Sequence, residues 1–461
     1  MTDDEKRPGL VDRALRVFAD VRAGEGTSTL ILAFSIFLLM VSYYVIKVVR
    51  EPWILTMGED GAQLKAYASA VQAAALMFYV PAFTWFSGKF PSQKLVFFVV
   101  GFFLVCIQLF WVGSQGEVAW LGFVFFVWVG IFSVSVIALF WSFANDAYTQ
   151  EKGERLFPIV TVGMTAGPVV GSKLSEYLVD SGMVGVYDML QVAAAMLLVH
   201  GVLYAVLVRR DDIELEANDD GDSSFAAAFK GFRLVFENGY IRWIAVLLIL
   251  LNLVNTTGEY ILSVYAKEQA AEALAAAGQV ADEGAFTADF IGSFYADFFF
   301  YVNVAAVTLQ ALVASRLVKY LGIAGVILPL PILALGNYAL LAFGMGFVVF
   351  RWMKTAENSS DYSLMNNAKA MLWLPTSREE KYSAKQAVDT FFVRLGDLTS
   401  AGIIYLGTEI WEFGKTGFAY VNVGVILVWL GVAWILVRAY KTRSAEHEEE
   451  QAEETGEPVE A

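Results

Sequence analysis

Apolar runs recur along the whole chain and are separated by short polar loops. Each run has about twenty residues, which as a helix is long enough to cross roughly 30 Å of hydrocarbon. The tenth run is the least apolar, because it contains Lys354, Glu357, Asp361 and Lys369. The pattern predicts twelve transmembrane helices, at residues 28–49, 66–87, 95–113, 118–144, 157–179, 187–208, 240–265, 290–314, 322–345, 347–374, 385–407 and 417–438.

The two halves of this pattern resemble each other in their loops. The loop SGKFPSQK after the second run corresponds to SRLVKYLG after the eighth, and TQEKGERL after the fourth corresponds to TSREEKYS after the tenth. Gly88 aligns with Ser315 and Thr149 with Thr376, which is the same offset of 227 residues in two separate loops. Two six-helix halves related by an axis along the membrane normal are the major facilitator architecture.

The sequence therefore predicts an all-α polytopic membrane protein of twelve helices with the major facilitator architecture. Lys and Arg residues are concentrated at both ends, in the linker and in alternate loops, which predicts that these segments lie on the cytoplasmic side of the membrane. We expect this membrane to be a bacterial inner membrane. We expect five regions: a cytoplasmic segment at 1–27, a six-helix bundle at 28–208, a cytoplasmic linker at 209–239, a second bundle at 240–440 and an acidic disordered tail at 441–461.

Composition argues against a soluble protein. Hydrophobic residues make up 57% of the chain and charged residues 17%, whereas a soluble domain has about 25% charged residues. The net charge of −15 comes largely from the linker and the tail, so it says little about a substrate. Residues 1–27 lack the continuous apolar segment of a cleaved signal peptide, and the single cysteine, Cys106, cannot form an intrachain disulfide.

Charged side chains inside the apolar runs are the candidate functional groups. An ionisable group in hydrocarbon costs roughly 2.5–3.5 kcal/mol even on lenient scales. We therefore expect these groups to face a shared hydrated cavity between the two halves. In the first run, Lys47, Arg50 and Glu51 have helical spacing and lie on one face. Two interpretations fit them: snorkelling to the outer headgroups, or a cationic stripe that faces an anion.

The fourth and fifth runs add further polar candidates. Asn145 and Asp146 precede a basic loop, where Asp146 either caps the turn and pairs with Arg155 or binds a proton or a substrate hydroxyl. The fifth run contains Gly163, Gly167, Pro168 and Gly171, a pattern that favours close helix approach and bending. Lys173 follows this motif well inside the run, which favours a position on the pathway.

The second half contains the richest polar segments. Asn255 and Glu259 belong to a polar band in the seventh run, where Gly258 is expected to weaken the helix locally. Lys385 and Asp389 are four residues apart and could form an internal pair, with Arg394 on the opposite face. Lysines and arginines in both halves favour a polyanionic solute, since these cations offset phosphate charge.

Signatures of other functions are absent from the sequence. The two histidines, His200 and His447, are too few for a metal or catalytic site, and neither a Walker A loop nor a dinucleotide-binding glycine motif occurs. We therefore predict a non-enzyme with no catalytic residue, no metal and no cofactor. We also expect a monomer in the lipid bilayer that does not bind nucleic acid.

The chain resembles the nucleotide transporters of bacteria and plastids, the ATP/ADP antiporter family. The similarity is carried by YYVIKVVRE in the first run, LFWSFANDAYTQEKGERLFP around Asp146, Glu259 in the seventh run, and DYSLMNNAKAMLWLP followed by AKQAVDTFFVRLGD. Family positions fall on Arg50, Tyr362, Lys369, Pro375, Lys385, Asp389 and Arg394. The sequence departs from the family pattern at Met365, Asn366, Asn367, Ala370 and Asp397.

The resemblance implies exchange of ATP for ADP by alternating access. Under that hypothesis Arg50, Lys369, Lys385 and Arg394 hold phosphates, while Asp146 and Glu259 act as coupling or ribose-side carboxylates. Two alternatives stay open. One is proton-coupled transport of another anionic or phosphorylated metabolite, with Glu259 or Asp146 as the proton carrier. The other is a membrane scaffold or sensor that transports nothing.

Overall fold

A computed structural model describes residues 9–17, 19–87, 89–116, 118, 120–211, 225–377 and 380–455, and this part of the chain consists of helices joined by turns, without strands. Its contacts divide the chain into two compact units. The first comprises Met1–Glu59, Ala82–Gly221 and Ala270–Phe300, and the second comprises Asp60–Pro81, Asp222–Gln269 and Tyr301–Ala461. The predicted bundles at 28–208 and 240–440 remain a prediction.

The first half of the chain forms mostly long, uninterrupted helices. Runs of Val, Leu, Phe and Ala leave few polar atoms outside the backbone, and a helix satisfies the backbone groups internally, as lipid requires. The helices are α1 (Leu10–Leu15), α2 (Glu25–Leu55), α3 (Gly61–Ser87), α4 (Ser92–Ser114), α5 (Leu121–Ala147), α6 (Gln150–Asp180) and α7 (Met189–Arg210).

The second half is more broken, because several helices contain π-helical turns. The α-helices are α8 (Phe225–Glu237), α9 (Gly239–Ala277), α10 (Glu283–Leu309), α11 (Ser315–Leu321), α12 (Ala324–Ile327), α13 (Pro329–Ala342), α14 (Phe347–Ser360), α15 (Asn366–Leu372), α16 (Lys385–Ala387), α17 (Val393–Tyr405) and α18 (Lys415–Thr455). The π-helical turns of the described residues are π1 (Gln310–Ala314), π2 (Asp361–Met365), π3 (Glu380–Ala384), π4 (Val388–Phe392) and π5 (Leu406–Ile410).

Within the described residues, nine helices are long and apolar enough to cross a membrane. They coincide with the first four predicted spans and with the sixth to ninth and the twelfth. The fifth predicted span lies in the long but polar α6. The tenth is divided into shorter helices by π2, and the eleventh by π4. The chain is thus a multi-pass helical protein, and the count of twelve spans stays a prediction.

Helix α2 is buried along most of its length and packs against α5, α6 and α7. The glycines of α6 permit this approach. A Cβ atom at Gly167 would lie 2.5 Å from the Cβ of Met40, and one at Gly171 would lie 3.0 Å from the carbonyl oxygen of Val41. The small residues noted in the fifth span therefore form the contact surface between α6 and α2, as expected for close helix pairs.

Polar side chains add cross-links between α2 and α7. The hydroxyl of Ser35 lies 2.8 Å from Nδ1 of His200, and the hydroxyl of Ser42 donates to the carbonyl of Ala193 at 2.9 Å. His200 is buried. Its contacts are those of a structural hydrogen-bonding residue between two helices.

The N-terminal segment is fastened to the first unit by two carboxylates. Asp12 accepts hydrogen bonds from the backbone N–H groups of Gly9, Gly24 and Gly26 at 2.8–3.0 Å. These bonds, that from Gly24 foremost, hold the pKa of Asp12 below its usual value although burial acts in the opposite direction. Glu25 forms a two-bond pair with the guanidinium of Arg155, both bonds at 3.0 Å.

The C-terminal segment is fastened to the second unit in a similar way. The guanidinium of Arg443 donates to both oxygens of Glu380, at 2.9 and 3.0 Å, and to the carbonyl of Pro375 at 2.9 Å. Helix α18 continues as far as Thr455, so much of the tail that is predicted to be disordered is helical. Ala, Glu and Gln, which dominate this stretch, are strong helix formers. Residues 212–224 of the predicted linker and 456–461 of the tail lie outside the described residues.

Candidate functional site

The cationic residues predicted in the first span lie on α2. Lys47 is buried, and its ammonium group lies 4.2 Å from the ring centre of Phe299 and 5.1 Å from that of Tyr44. Arg50 pairs with the neighbouring carboxylate of Glu51. Its guanidinium also stacks over a ring, 4.3 Å from the centre of Phe126. Both cations are thus held by aromatic faces, which attract positive charge.

The other candidates of the first unit lie farther along its helices. Asn145 is exposed and Asp146 is half-buried, both near the end of α5. Lys173 on α6 is about half exposed and donates to Glu176 at 2.7 Å. Its ammonium also lies 5.1 Å from the ring centre of Phe300.

In the second unit, Glu259 on α9 is the centre of a three-residue contact. Its carboxylate accepts a hydrogen bond from Nδ2 of Asn358 at 3.0 Å and lies 3.6 Å from the ammonium of Lys65. Lys65 is buried and also donates to the hydroxyl of Ser263 at 3.0 Å. The carboxylate is therefore matched by one cation and one amide donor.

A second ion pair lies on α14, deeper in the same unit. Lys354 is fully buried and donates to Glu357 at 2.8 Å and to Oδ1 of Asn255 at 2.9 Å. The second oxygen of Glu357 accepts from the side-chain amide of Asn337 at 3.2 Å. A buried charge is tolerated only when it is paired and hydrogen-bonded, and this pair meets both conditions.

Gly258 has a packing role next to this pair. A Cβ atom there would overlap the hydroxyl of Tyr338 and lie 3.0 Å from the ammonium of Lys354. Helix α9 is continuous through this position. The expected local weakening of the helix is therefore not seen, because the missing side chain serves a close approach instead.

The turn π2 and the helix α15 that follows it contain further charged residues of the tenth predicted span. The first residue of π2, Asp361, accepts from the ammonium of Lys369 at 3.2 Å, and both side chains are half-buried. Tyr362 is 40% exposed. π-helical turns inside α-helices are frequent at functional sites, and this one occurs where the polar residues of the span are densest.

Lys385 and Asp389 are both exposed, at α16 and π4. The ammonium groups of Lys385 and Lys369 lie close enough to attract the carboxylate of Asp389. Arg394, half-buried on α17, lies 3.7 Å from the carboxylate of Asp397.

Asp397 itself is buried, and its other hydrogen-bond partner is on α9. It accepts from the hydroxyl of Thr256 at 2.7 Å. One turn further along, the hydroxyls of Thr257 and Ser400 are 3.0 Å apart. Helices α9 and α17 are thus joined by polar contacts, and Gly396 lets their backbones approach, since a Cβ there would lie 2.6 Å from the carbonyl of Ile249.

A small cavity lies among these residues in the second unit. Two of its lining residues, Asn358 and Trp429, each have a buried side-chain atom, Oδ1 and Nε1 respectively, without a hydrogen-bond partner within the described residues. Its lining residues are Leu251, Asn255, Leu330, Glu357, Asn358, Asp361 and Trp429.

Several residues of this arrangement were not predicted from the sequence. Lys65 directly precedes the predicted second span, so its position suggested a loop residue. In the sequence, the tenth apolar run is less apolar than the others because it contains Lys354, Glu357 and Asp361, and no site was predicted from these three residues. Their spacing of three and four residues on one helix was a sequence pattern that could have identified them as a functional set.

Four cations of the second unit each lie next to a carboxylate, so each of these pairs carries no net charge. Lys65 faces Glu259, Lys354 faces Glu357, Lys369 faces Asp361 and Arg394 faces Asp397. Cations that are matched by carboxylates in the protein can exchange these partners for the anionic groups of a ligand.

The fold is similar to that of solved transporter structures. The POT family transporter PepTSo superimposes with a TM-score of 0.64 at 11% identity, covering 90% of this chain and 98% of that one. The nucleoside transporter NupG superimposes with a TM-score of 0.56 at 14% identity, covering 90% of this chain and 98% of that one. The predicted all-α fold of the major facilitator architecture is confirmed.

Sequence comparison gives the family. Residues 117–442 match the TLC ATP/ADP transporter family, and because this is most of the chain, the protein belongs to that family. It is 23% identical to ADP,ATP carrier protein 1, chloroplastic, of Arabidopsis thaliana, and 22% identical to the plastidic ATP/ADP-transporter of Solanum tuberosum. Each alignment covers 66% of this chain and 50% of the relative, so the chain spans about half the length of these relatives. The resemblance noted in the sequence is confirmed.

Proposed function

We propose that this protein is a secondary transporter that exchanges nucleotides, ATP for ADP, across the bacterial inner membrane by alternating access, with both termini in the cytoplasm. The observation that carries the proposal is the family match over residues 117–442. The matched residues include Asp146, Glu259, the Lys354–Glu357 pair, and the cations of the tenth and eleventh predicted spans. Two relatives that are 23% identical to this chain are named ADP,ATP carriers.

Phosphate binding is assigned to Arg50, Lys369, Lys385 and Arg394. Three of these cations have a carboxylate partner within 4 Å or in direct contact, and Lys385 lies near the Asp389 carboxylate. A phosphate would replace the carboxylate as the partner, so binding requires little net desolvation of charge. Asp146 and Glu259 are assigned to coupling or to the ribose side. The remaining candidates, which contribute to the lining of the substrate pathway, are Lys47, Asn145, Lys173, Asn255, Tyr362 and Asp389.

A carrier function also has consequences for catalytic groups, cofactors and the oligomeric state. A carrier moves its substrate without changing it, so no catalytic residue, cofactor or metal is required. We further propose that the protein acts as a monomer.

Exchange is tested with purified protein in proteoliposomes. We expect labelled ATP to enter vesicles loaded with ADP and to enter empty vesicles at least about tenfold more slowly, a difference of about 1.4 kcal/mol in effective barrier. Lys369→Gln and Arg394→Gln should raise the ATP concentration for half-maximal uptake. Arg233→Gln, which changes an exposed arginine on α8, is the matched control. Equal uptake into loaded and empty vesicles would contradict exchange.

A second candidate is proton-coupled uptake of another phosphorylated metabolite. This candidate is favoured by Asp397, because the nucleotide transporter family has a basic residue at this position. The carboxylate of Asp397 reduces the positive charge around Arg394. In this case a pH gradient drives uptake into empty vesicles, and sugar phosphates compete with the labelled substrate. A protein that moves neither nucleotides nor other anions would instead fit the scaffold interpretation.

A further inference from the structure

Two buried residues that line the cavity of the second unit each have a polar atom without a hydrogen-bond partner. Within the described residues, Nε1 of Trp429 on α18 is a donor without an acceptor, and Oδ1 of Asn358 on α14 is an acceptor without a donor. The two side chains are only 2% and 6% exposed, so bulk water does not satisfy these atoms. Because a buried polar atom that stays unsatisfied lowers stability, the pair indicates a ligand that both accepts and donates.

The orientation of the Asn358 amide follows from its contact with Glu259. Nδ2 of Asn358 donates to the Glu259 carboxylate at 3.0 Å, and a carboxylate accepts hydrogen bonds but does not donate them. Nδ2 and Oδ1 therefore cannot exchange places, since the amide oxygen would then face a carboxylate oxygen. Oδ1 consequently needs a donor other than the groups around Glu259.

The chemistry of the cavity selects the ligand. Five of the seven lining residues have polar side-chain atoms, namely Asn255, Glu357, Asn358, Asp361 and Trp429, and polar cavities hold water whereas apolar ones stay dry. A metal ion cannot accept the indole N–H of Trp429, and an anion would meet the carboxylates of Glu357 and Asp361. The cavity volume of about 10 Å³ is close to the smallest that holds one water molecule.

We propose that one water molecule bound in this cavity bridges Nε1 of Trp429 to Oδ1 of Asn358, and that Trp429 thereby positions Asn358 against Glu259. The water accepts from the indole, donates one hydrogen to the amide oxygen and donates the other to a carboxylate of Glu357 or Asp361. Three hydrogen bonds are the usual number for a buried water. Both carboxylates keep their lysine partners in this arrangement, and no proton is transferred.

The water makes Asn358 a link that is bonded at both ends. One end of its amide holds the carboxylate of Glu259, which also lies 3.6 Å from the ammonium of Lys65. The other end is held by the water on Trp429. Because a fully satisfied hydrogen-bond network restricts side-chain rotation, Asn358 keeps Nδ2 directed at Glu259. Trp429 on α18 thus acts on Glu259 on α9 without touching it, as a positioning residue.

The consequence for transport rests on the proposed carrier function, in which Glu259 is assigned to coupling or to the ribose side. A carboxylate that is held less firmly should bind its part of the substrate less well. The water itself does not depend on which solute is carried, so its test needs no transport.

The bridge is tested by a structure at a resolution that shows ordered water. We expect one density peak at hydrogen-bond distance, about 2.7–3.2 Å, from both Nε1 of Trp429 and Oδ1 of Asn358. An empty cavity at that resolution, or a direct hydrogen bond between the two side chains, would overturn the water.

A second measurement detects the water in solution. The protein is labelled with ¹⁵N at the tryptophan indoles and studied by nuclear magnetic resonance in nanodiscs, where the Trp429 signal is assigned by its loss in Trp429→Phe. We expect a nuclear Overhauser cross-peak between the Trp429 indole proton and water. Loss of this cross-peak in Asn358→Leu is the expected result, because the water then lacks its amide acceptor. An indole proton without a cross-peak to water in the unaltered protein counts against the bridge.

The positioning role is tested by changing only the indole N–H. Benzothienylalanine at position 429 keeps the shape of tryptophan but has sulphur in place of N–H, so it leaves the packing in place. In the exchange assay, the ATP concentration for half-maximal uptake should rise about twofold to tenfold, as expected for the loss of one hydrogen bond. Trp434→Phe, which changes a half-exposed tryptophan on the same helix, is the control and should leave this concentration unchanged. An unchanged value in the benzothienylalanine variant would overturn the positioning role.

The route through Asn358 is tested by combining the changes. In the Asn358→Leu background, benzothienylalanine at position 429 should have no further effect, because the link to Glu259 is already broken. Additive effects would show that Trp429 acts by another route and would reject the proposal. If the unaltered protein exchanges no nucleotide, the proposed function fails, whereas the density and the indole resonance still decide the water.

Discussion

The ammonium group of Lys65 lies 3.6 Å from the carboxylate of Glu259, although the two residues are far apart in the sequence. Lys65 is buried, and 23% of the Glu259 side chain is exposed. Breaking such a pair leaves one charge without its counterpart in a region of low dielectric. The pair ties the start of α3 to the middle of α9.

Replacing Lys65 by Met should therefore lower the free energy of unfolding by about 1–3 kcal/mol, less than for a completely buried pair because Asn358 still donates to Glu259. Thermal unfolding of the purified protein measures the change. The double variant with Glu259→Gln should recover part of the loss, since the uncompensated charge is gone. Additive losses in the double variant would show that the two residues do not interact.

Replacing Gly167 by Leu should destabilise the first unit by about 1–3 kcal/mol or prevent folded protein from accumulating, because the side chain would enter α2. The nearest atoms are the Cβ of Met40 and the carbonyl oxygen of Phe37. Gly101→Leu is the matched control, since a Cβ at Gly101 has open space around it. Equal effects of the two changes on unfolding temperature would refute the packing role.

The N-terminal segment should loosen in acid. The pKa of Asp12 is lowered in the folded protein, so its contribution to stability is complete above its ordinary value of 3.8 and is lost as the pH falls through the lower folded value. Hydrogen exchange of the Gly24 and Gly26 amides, corrected for intrinsic rates, should accelerate in that range. Asp12→Asn should exchange faster already at neutral pH. Protection that does not depend on Asp12 would contradict this assignment.

Truncation of the C-terminal tail should lower the unfolding temperature only when it removes Arg443. Deleting residues 446–461 should leave the unfolding temperature unchanged, whereas deleting residues 443–461 removes the hydrogen bonds to Glu380 and Pro375. Hydrogen bonds that involve charged groups contribute about 1.5–3 kcal/mol, so the longer deletion should unfold at a lower temperature. Arg443→Ala in the full chain should reproduce that loss. If it does not, the effect belongs to the helix rather than to this contact.

The sequence by itself determined the all-helical membrane fold, the family and the helix contact at Gly163, Gly167 and Gly171. These properties follow from local composition and spacing, because hydrophobic length, glycine periodicity and motif residues are read along a single helix. Glu259 and Asn255 were likewise identified from their polar band in an apolar run.

Only the tertiary structure decided which charges meet. Lys65 pairs with Glu259 and Lys354 with Asn255 across different helices, and no spacing along the chain specifies these partners. The cavity that Asn358 of α14 and Trp429 of α18 help to line likewise exists only in the folded chain. A charge inside an apolar run signals that a partner must exist, since isolated ions are expelled from low dielectric, but the identity of the partner is fixed by how the helices are arranged.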